Sequence, residues 1–183
     1  MSTGGVRLGR WALLLMFLHA SLAGAVTLRD PDTAFFNQSL GDLSEELEIA
    51  REEGKQGVLL FFEQDECPFC ARMKRDVLNR SEVQDYYRRH FRIIPVDIEG
   101  DIEIVDFQGN PVVEKDFAFK ENRVRATPVF LFYDLDGNQV ARYTGATSGV
   151  DEFLWLGEYV VDGGYRDMPF TKYKRNRRQQ AAQ

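Results

Sequence analysis

The 183 residues contain only two cysteines, and these stand three apart in Cys67-Pro68-Phe69-Cys70. Two thiols at this spacing can exchange a disulfide, hold part of a metal site or close a structural loop. A bridge across two intervening residues restrains little of the unfolded chain's entropy, so it is a weak staple. Two sulfurs supply only half of a tetrahedral metal site. His90 is the sole histidine beyond residue 25, and no second cysteine pair exists to complete such a site. Exchange chemistry needs nothing further: one thiolate attacks a disulfide and its neighbour resolves the mixed product. The expected site is a redox-active Cys67–Cys70 disulfide with no metal and no other cofactor. Metal binding and a plain structural bridge are the competing readings.

The elements around the pair must place one sulfur where an anion is welcome. Gly57-Val58-Leu59-Leu60-Phe61-Phe62 is an uninterrupted apolar run, as expected for a strand buried on both faces. Pro68 suits the first position of a helix, and nothing breaks the pattern before Asn79. Cys67 then lies at a helix N-terminus, where unpaired N–H groups and the helix dipole favour negative charge. Cysteines so placed ionise between roughly 3.5 and 7.5, against about 8.5 for a free thiol. Cys67 is the expected nucleophile. Cys70, one turn on and more buried, is the expected resolving thiol.

The rest of the chain supplies an α/β frame. Leu43, Leu47 and Ala50 are spaced for a helix, with Asp42 or Ser44 as cap and Gly54 as stop. A helix is expected from Ser81 to about His90, then a strand over Arg92–Ile98. Its Pro95 suits a bulge or an edge-like position. Residues 99–113 are expected to form a small hairpin turning at Gly109-Asn110, and Glu114–Asn122 a short helix. Val129–Tyr133 and Gln139–Tyr143 flank Asp134-Leu135-Asp136-Gly137-Asn138, a hairpin signal, and Val150–Val161 is the last helix. This order predicts a mixed central β-sheet flanked by helices, in a domain over residues 40–163 with 99–120 as an insertion.

The ends have their own character. Arg7 and Arg10 precede the apolar Trp11–Leu18, followed by Ala23-Gly24-Ala25. That pattern predicts a signal peptide over residues 1–25, a linker over 26–39 and a soluble, periplasmic or otherwise exported product. The full chain carries −6; losing Arg7 and Arg10 with no acidic residue makes it −8. Such a balance argues against nucleic-acid binding, which wants a basic face. Lys172, Lys174, Arg175, Arg177 and Arg178 make the end exceptional, and residues 164–183 are expected to be a basic, flexible tail.

Val58 to Cys70, Val124-Arg125-Ala126-Thr127-Pro128 and Asp136-Gly137 through Gly145 follow one another as in the thioredoxin superfamily. Over residues 40–163 the chain resembles the exported thioredoxin-like proteins, including SoxW-type thioredoxins, and more distantly the DsbD C-terminal domain. The resemblance implies a thioredoxin fold, with the insertion lying before the cis-proline segment. It implies that Thr127-Pro128 is the cis-proline step beside the cysteines, leaving the preceding backbone free to pair with an extended substrate. It implies that Gly145 lies in the neighbouring substrate-facing loop. Pro68, Phe69, Thr127, Pro128 and Gly145 are thus the expected substrate-binding residues.

The departures bear on mechanism. Phe61 stands where typical thioredoxins carry a buried aspartate, Glu66 replaces the tryptophan before the motif, and the dipeptide is Pro-Phe rather than Gly-Pro. Proton transfer from Cys70 then falls to water or Glu63. The resemblance implies a thiol–disulfide oxidoreductase that reduces partner-protein disulfides and is recharged by a DsbD- or CcdA-type membrane electron donor. The alternatives are a disulfide oxidase or isomerase, and a non-catalytic metal-binding or adaptor module.

Overall fold

Val58 to Phe62 offer no polar side chain to water on either face, a pattern that is stable only inside a covered sheet. In the computed structural model, which describes Met1 and residues 27–181, all five are fully buried within β1 (Gly57–Glu63). The expected signal peptide, Met1 apart, lies outside the described residues. β1 pairs parallel with β2 (Phe91–Asp97) and antiparallel with β5 (Val129–Asp134), which pairs antiparallel with β6 (Gln139–Thr144). The sheet order β2-β1-β5-β6 is the expected mixed sheet. Gly57 is required by the pairing, because a Cβ there would sit 1.9 Å from the Tyr133 carbonyl oxygen.

Helices cover both faces. One face packs Leu59, Phe61, Phe130 and Phe132 against α3 (Pro68–Met73), α4 (Ser81–His90) and α6 (Val150–Val161), through Met73, Tyr87 and Phe153. The other packs Leu60, Phe62 and Leu131 against α2 (Leu43–Glu52). Asp42 is the α2 cap, accepting the Glu45 N–H at 3.0 Å. The helix opened by Pro68 reaches Asn79 as expected, but its second half, Lys74–Leu78, widens into a π-helical turn.

Pro95 is accommodated because β2 is an edge strand. Its outward N–H groups belong to alternate residues, and those of Ile93 and Asp97 are both met. Ile93 donates to Asn37 Oδ1 at 2.9 Å, Pro95 has no N–H, and Asp97 donates to Glu114 Oε1 at 2.9 Å. This edge is closed to further strand pairing. Glu114 comes from the insertion, where β3 (Glu103–Val105) and β4 (Pro111–Val113) form the expected hairpin. The following helix covers the expected stretch, but α5 (Glu114–Asp116) widens into a π-helical turn over Phe117–Glu121, capped at Asn122.

Two expectations about the ends are corrected. The segment read as a linker contains α1 (Pro31–Ala34), and Phe35 and Phe36 are buried in the main core. Phe35 meets Tyr87 and Phe153, so the packed domain begins well before residue 40. The expected flexible tail is helical, as a 3₁₀ turn (Gly164–Arg166) and α7 (Phe170–Ala181). Lys174 and Arg178 reach Glu152 of α6 at 2.7 and 3.3 Å, while Phe170 and Tyr173 pack on Tyr159. Charge density alone suggested a solvated end; a carboxylate 22 residues upstream supplies the partner. Among the described residues no helix is long and apolar enough to cross a membrane.

Candidate active site

Register brings the motifs to one end of the sheet. Phe62 lies opposite Val129, and Val129 opposite Thr144. The chain leaving β1 toward Cys67, the chain entering β5 from Thr127-Pro128 and the chain leaving β6 at Gly145 therefore share that end. Two hydrogen bonds tie them together. Thr127 Oγ1 donates to Gln64 Oε1 at 3.1 Å, and the Gly145 N–H donates to the Pro128 carbonyl at 2.8 Å. The Thr127–Pro128 peptide is cis, as the resemblance implied. Gly145 has φ +93°, a conformation that glycine reaches without steric cost.

Cys67 and Cys70 are disulfide-bonded, with Cα atoms 5.2 Å apart. Cys67 is the N-cap of α3, and its Sγ accepts the Cys70 N–H at 3.0 Å. One of the orphan donors of the helix start is thereby aimed at the sulfur expected to be the nucleophile. Both cysteines are largely buried, Cys70 more so. Pro68 and Phe69 between them are exposed, and the Arg72 guanidinium lies 5.4 Å from the Phe69 ring centre. Pro128 is buried and Thr127 half-buried.

The acid usual in thioredoxins has no counterpart at Phe61. That ring is fully buried, 5.4 Å from Phe36 and 5.0 Å from Phe130, and its residue lies opposite Pro95 across the sheet. The charges sit further out. Both Glu63 oxygens lie near Lys74 Nζ, at 3.0 and 2.9 Å, and Lys74 also meets Asp32 at 3.0 Å. Burial raises the Glu63 pKa above the ordinary carboxylate value, although Lys74 opposes the rise. Burial works against the Lys74 charge, but bonding to Glu63 and Asp32 outweighs it and raises that pKa.

Two participants were not foreseen from the sequence. Gln64 anchors the Thr127 loop, and Asp32 of α1 completes the Glu63–Lys74 cluster. Lys74 lies four residues after Cys70, on the same helix face, which was a readable signal. Asp32 gave none, because its place depends on α1 packing beside Lys74, 42 residues further along the chain.

The model of the thioredoxin-like domain family matches residues 43–161. The chain belongs to this family. The thioredoxin-like domain is similar to solved structures throughout. A thioredoxin-fold protein from Helicobacter pylori is 23% identical with a TM-score of 0.61, the match covering 80% of this chain and 94% of that one. A thioredoxin from Thermus thermophilus is 24% identical with a TM-score of 0.51, covering 68% and 88%. The oxidised C-terminal domain of Neisseria meningitidis DsbD is 22% identical with a TM-score of 0.48, covering 63% and 89%. No curated protein matches the sequence. Within this fold, a disulfide-bonded pair at the helix start supports a thiol–disulfide redox role for the domain.

Proposed function

We propose that the protein is an exported thiol–disulfide oxidoreductase that reduces disulfides in partner proteins. The observation that carries this reading is the Cys70 N–H aimed at Cys67 Sγ, which favours a thiolate at Cys67 once the pair is reduced. The Cys67 thiolate attacks a partner disulfide and forms a mixed disulfide, releasing one partner sulfur. Cys70 then attacks Cys67, restoring the intramolecular disulfide and releasing the second partner sulfur. Two electrons pass from the dithiol to the partner. Pro68, Phe69 and the Thr127-Pro128 and Gly145 loops form the surface on which the partner segment rests. A membrane electron donor of the DsbD or CcdA type returns the pair to the dithiol. The basic and apolar N-terminal pattern ending at Ala23-Gly24-Ala25 supports export.

Reduction of insulin disulfides by the protein, driven by dithiothreitol, tests the activity. Turnover should disappear in Cys67→Ser, and activity that survives this change would overturn the assignment. Equilibration with glutathione tests direction: a reductase should lie near the thioredoxin potential of about −270 mV, and a value near −120 mV would make the protein an oxidant.

A further inference from the structure

The outer edge of β2 opens into a cavity of about 540 Å³, within the roughly 300–1,000 Å³ usual for ligand sites. Ile94, Pro95 and Val96 line it along the strand, and Ile104 adds apolar surface from the insertion. Leu40 and Ile102 line it too, yet they are 98% and 64% exposed. Single apolar side chains on a surface are ordinary, but two beside one apolar cavity mark an interaction site.

Two charged residues line this cavity, and both are acids. Asp32 is satisfied by Lys74 at 3.0 Å. Glu114 is not. It is 8% exposed, and only its Oε1 is used, by the Asp97 N–H. Its Oε2 has no hydrogen bond or ion pair among the described residues, and burial raises the pKa of the carboxyl group. Gly100 makes room for that oxygen, since a Cβ there would lie 2.2 Å from it. The Pro95 carbonyl faces the same edge, because Ile93, two residues earlier, turns both its N–H and its C=O outward to Asn37. The cavity thus offers two acceptors, one of them charged, within apolar walls.

We propose that this cavity docks a segment of a partner polypeptide in which a basic side chain lies between apolar ones. The cation enters the cavity and meets Glu114 Oε2 and the Pro95 carbonyl, giving the buried carboxylate the counter-charge it lacks. The flanking apolar side chains cover Leu40 and Ile102. A small organic cation would satisfy the carboxylate but leave those two side chains in water, so the occupant is a chain segment. Side chains hold it rather than strand addition, since Glu114 already caps the Asp97 N–H and Pro95 has none to offer. The site adjoins the cysteine cleft, because Asp32 of this cavity bonds to Lys74 of that cleft.

Binding is measured on the oxidised protein, in which both cysteines are bonded, so the result is independent of the thiol–disulfide reading. The probes are a Leu-Arg-Leu peptide blocked at both ends, its twin with citrulline in place of arginine, and butylguanidinium. In NMR titration of the isotope-labelled protein, the arginine peptide should shift the amides of residues 38–41 and 97–104. The citrulline twin should bind about 10-fold more weakly, as expected for loss of one charge-assisted contact. Glu114→Gln keeps an acceptor for the Asp97 N–H and should erase that difference. Ile102→Ser, at an exposed position, should weaken both peptides alike. Absence of binding, equal affinity of the twins for the wild-type protein, or shifts confined to other residues would overturn the proposal. So would butylguanidinium binding as tightly as the arginine peptide, which would make this a site for a small cation.

Discussion

The backbone N–H of Cys70 points at the Sγ of Cys67 from 3.0 Å, so the two cysteines of one motif differ in kind. In the reduced protein this donor, together with the helix start, stabilises charge on Cys67 and offers none to Cys70. Iodoacetamide at about pH 6.5, below the ordinary thiol range near 8.5, should therefore modify Cys67 first. Peptide mapping after brief alkylation reads the ratio. Equal labelling of the two residues would remove the basis for calling Cys67 the nucleophile.

The same asymmetry sets what each substitution does. Cys70→Ser should still attack a partner disulfide but retain it as a mixed disulfide, because no second thiol remains to displace the partner. Non-reducing gels of the variant, expressed with its own compartment's proteins, should show adducts that dithiothreitol releases. Cys67→Ser should show none.

Glu152 anchors the C-terminal helix and gives a pH signature. Its burial favours the neutral acid, but bonds from Lys174, Ser148 and Tyr143 prevail and bring its pKa down to about 2. A depressed carboxylate contributes its stability fully above the unfolded value of about 4.3 and loses it as pH falls toward the folded value. Glu152→Gln should lower stability at pH 7 by on the order of 2–3 kcal/mol, with the gap to wild type closing between about pH 4 and pH 2. Urea denaturation across that range measures it. A gap independent of pH would mean that packing, rather than charge, holds α7.

Phe35 is fully buried and touches Phe36, Tyr87 and Phe153, so the segment before residue 40 belongs to the folding unit. Phe35→Ala should cost about 3–5 kcal/mol, a large share of the stability of a domain this size. A loss under about 1 kcal/mol in denaturant unfolding would show the segment to be dispensable.

Arg92 and Glu46 form a buried pair, with Arg92 Nε 2.7 Å from Glu46 Oε2. Arg92→Met leaves the carboxylate without its partner and should cost about 3–5 kcal/mol. Glu46→Leu with Arg92→Met should recover most of that loss, since an apolar pair incurs no charge desolvation. A double-mutant cycle reads the coupling, and additive effects would deny it.

Much of the frame was legible in the residues themselves. The continuous apolar run of β1 announced a strand covered on both sides, and the spacing from Val150 to Val161 marked α6 to the residue. Pro95 indicated a position free of ladder bonding, which β2 provides as the edge strand. The cysteine spacing and Pro68 specified a pair at a helix start, because those constraints are local and covalent. The interactions between remote segments were not legible. No periodicity signals that Asp32 meets Lys74, that Gln64 holds Thr127, or that Glu152 captures a basic helix 22 residues later. Local sequence specifies backbone conformation and the type of chemistry within reach. Which charges gather near the sulfurs was decided by Asp32 of α1 and Glu63 at the end of β1 both meeting Lys74, a consequence of packing between segments far apart in the chain.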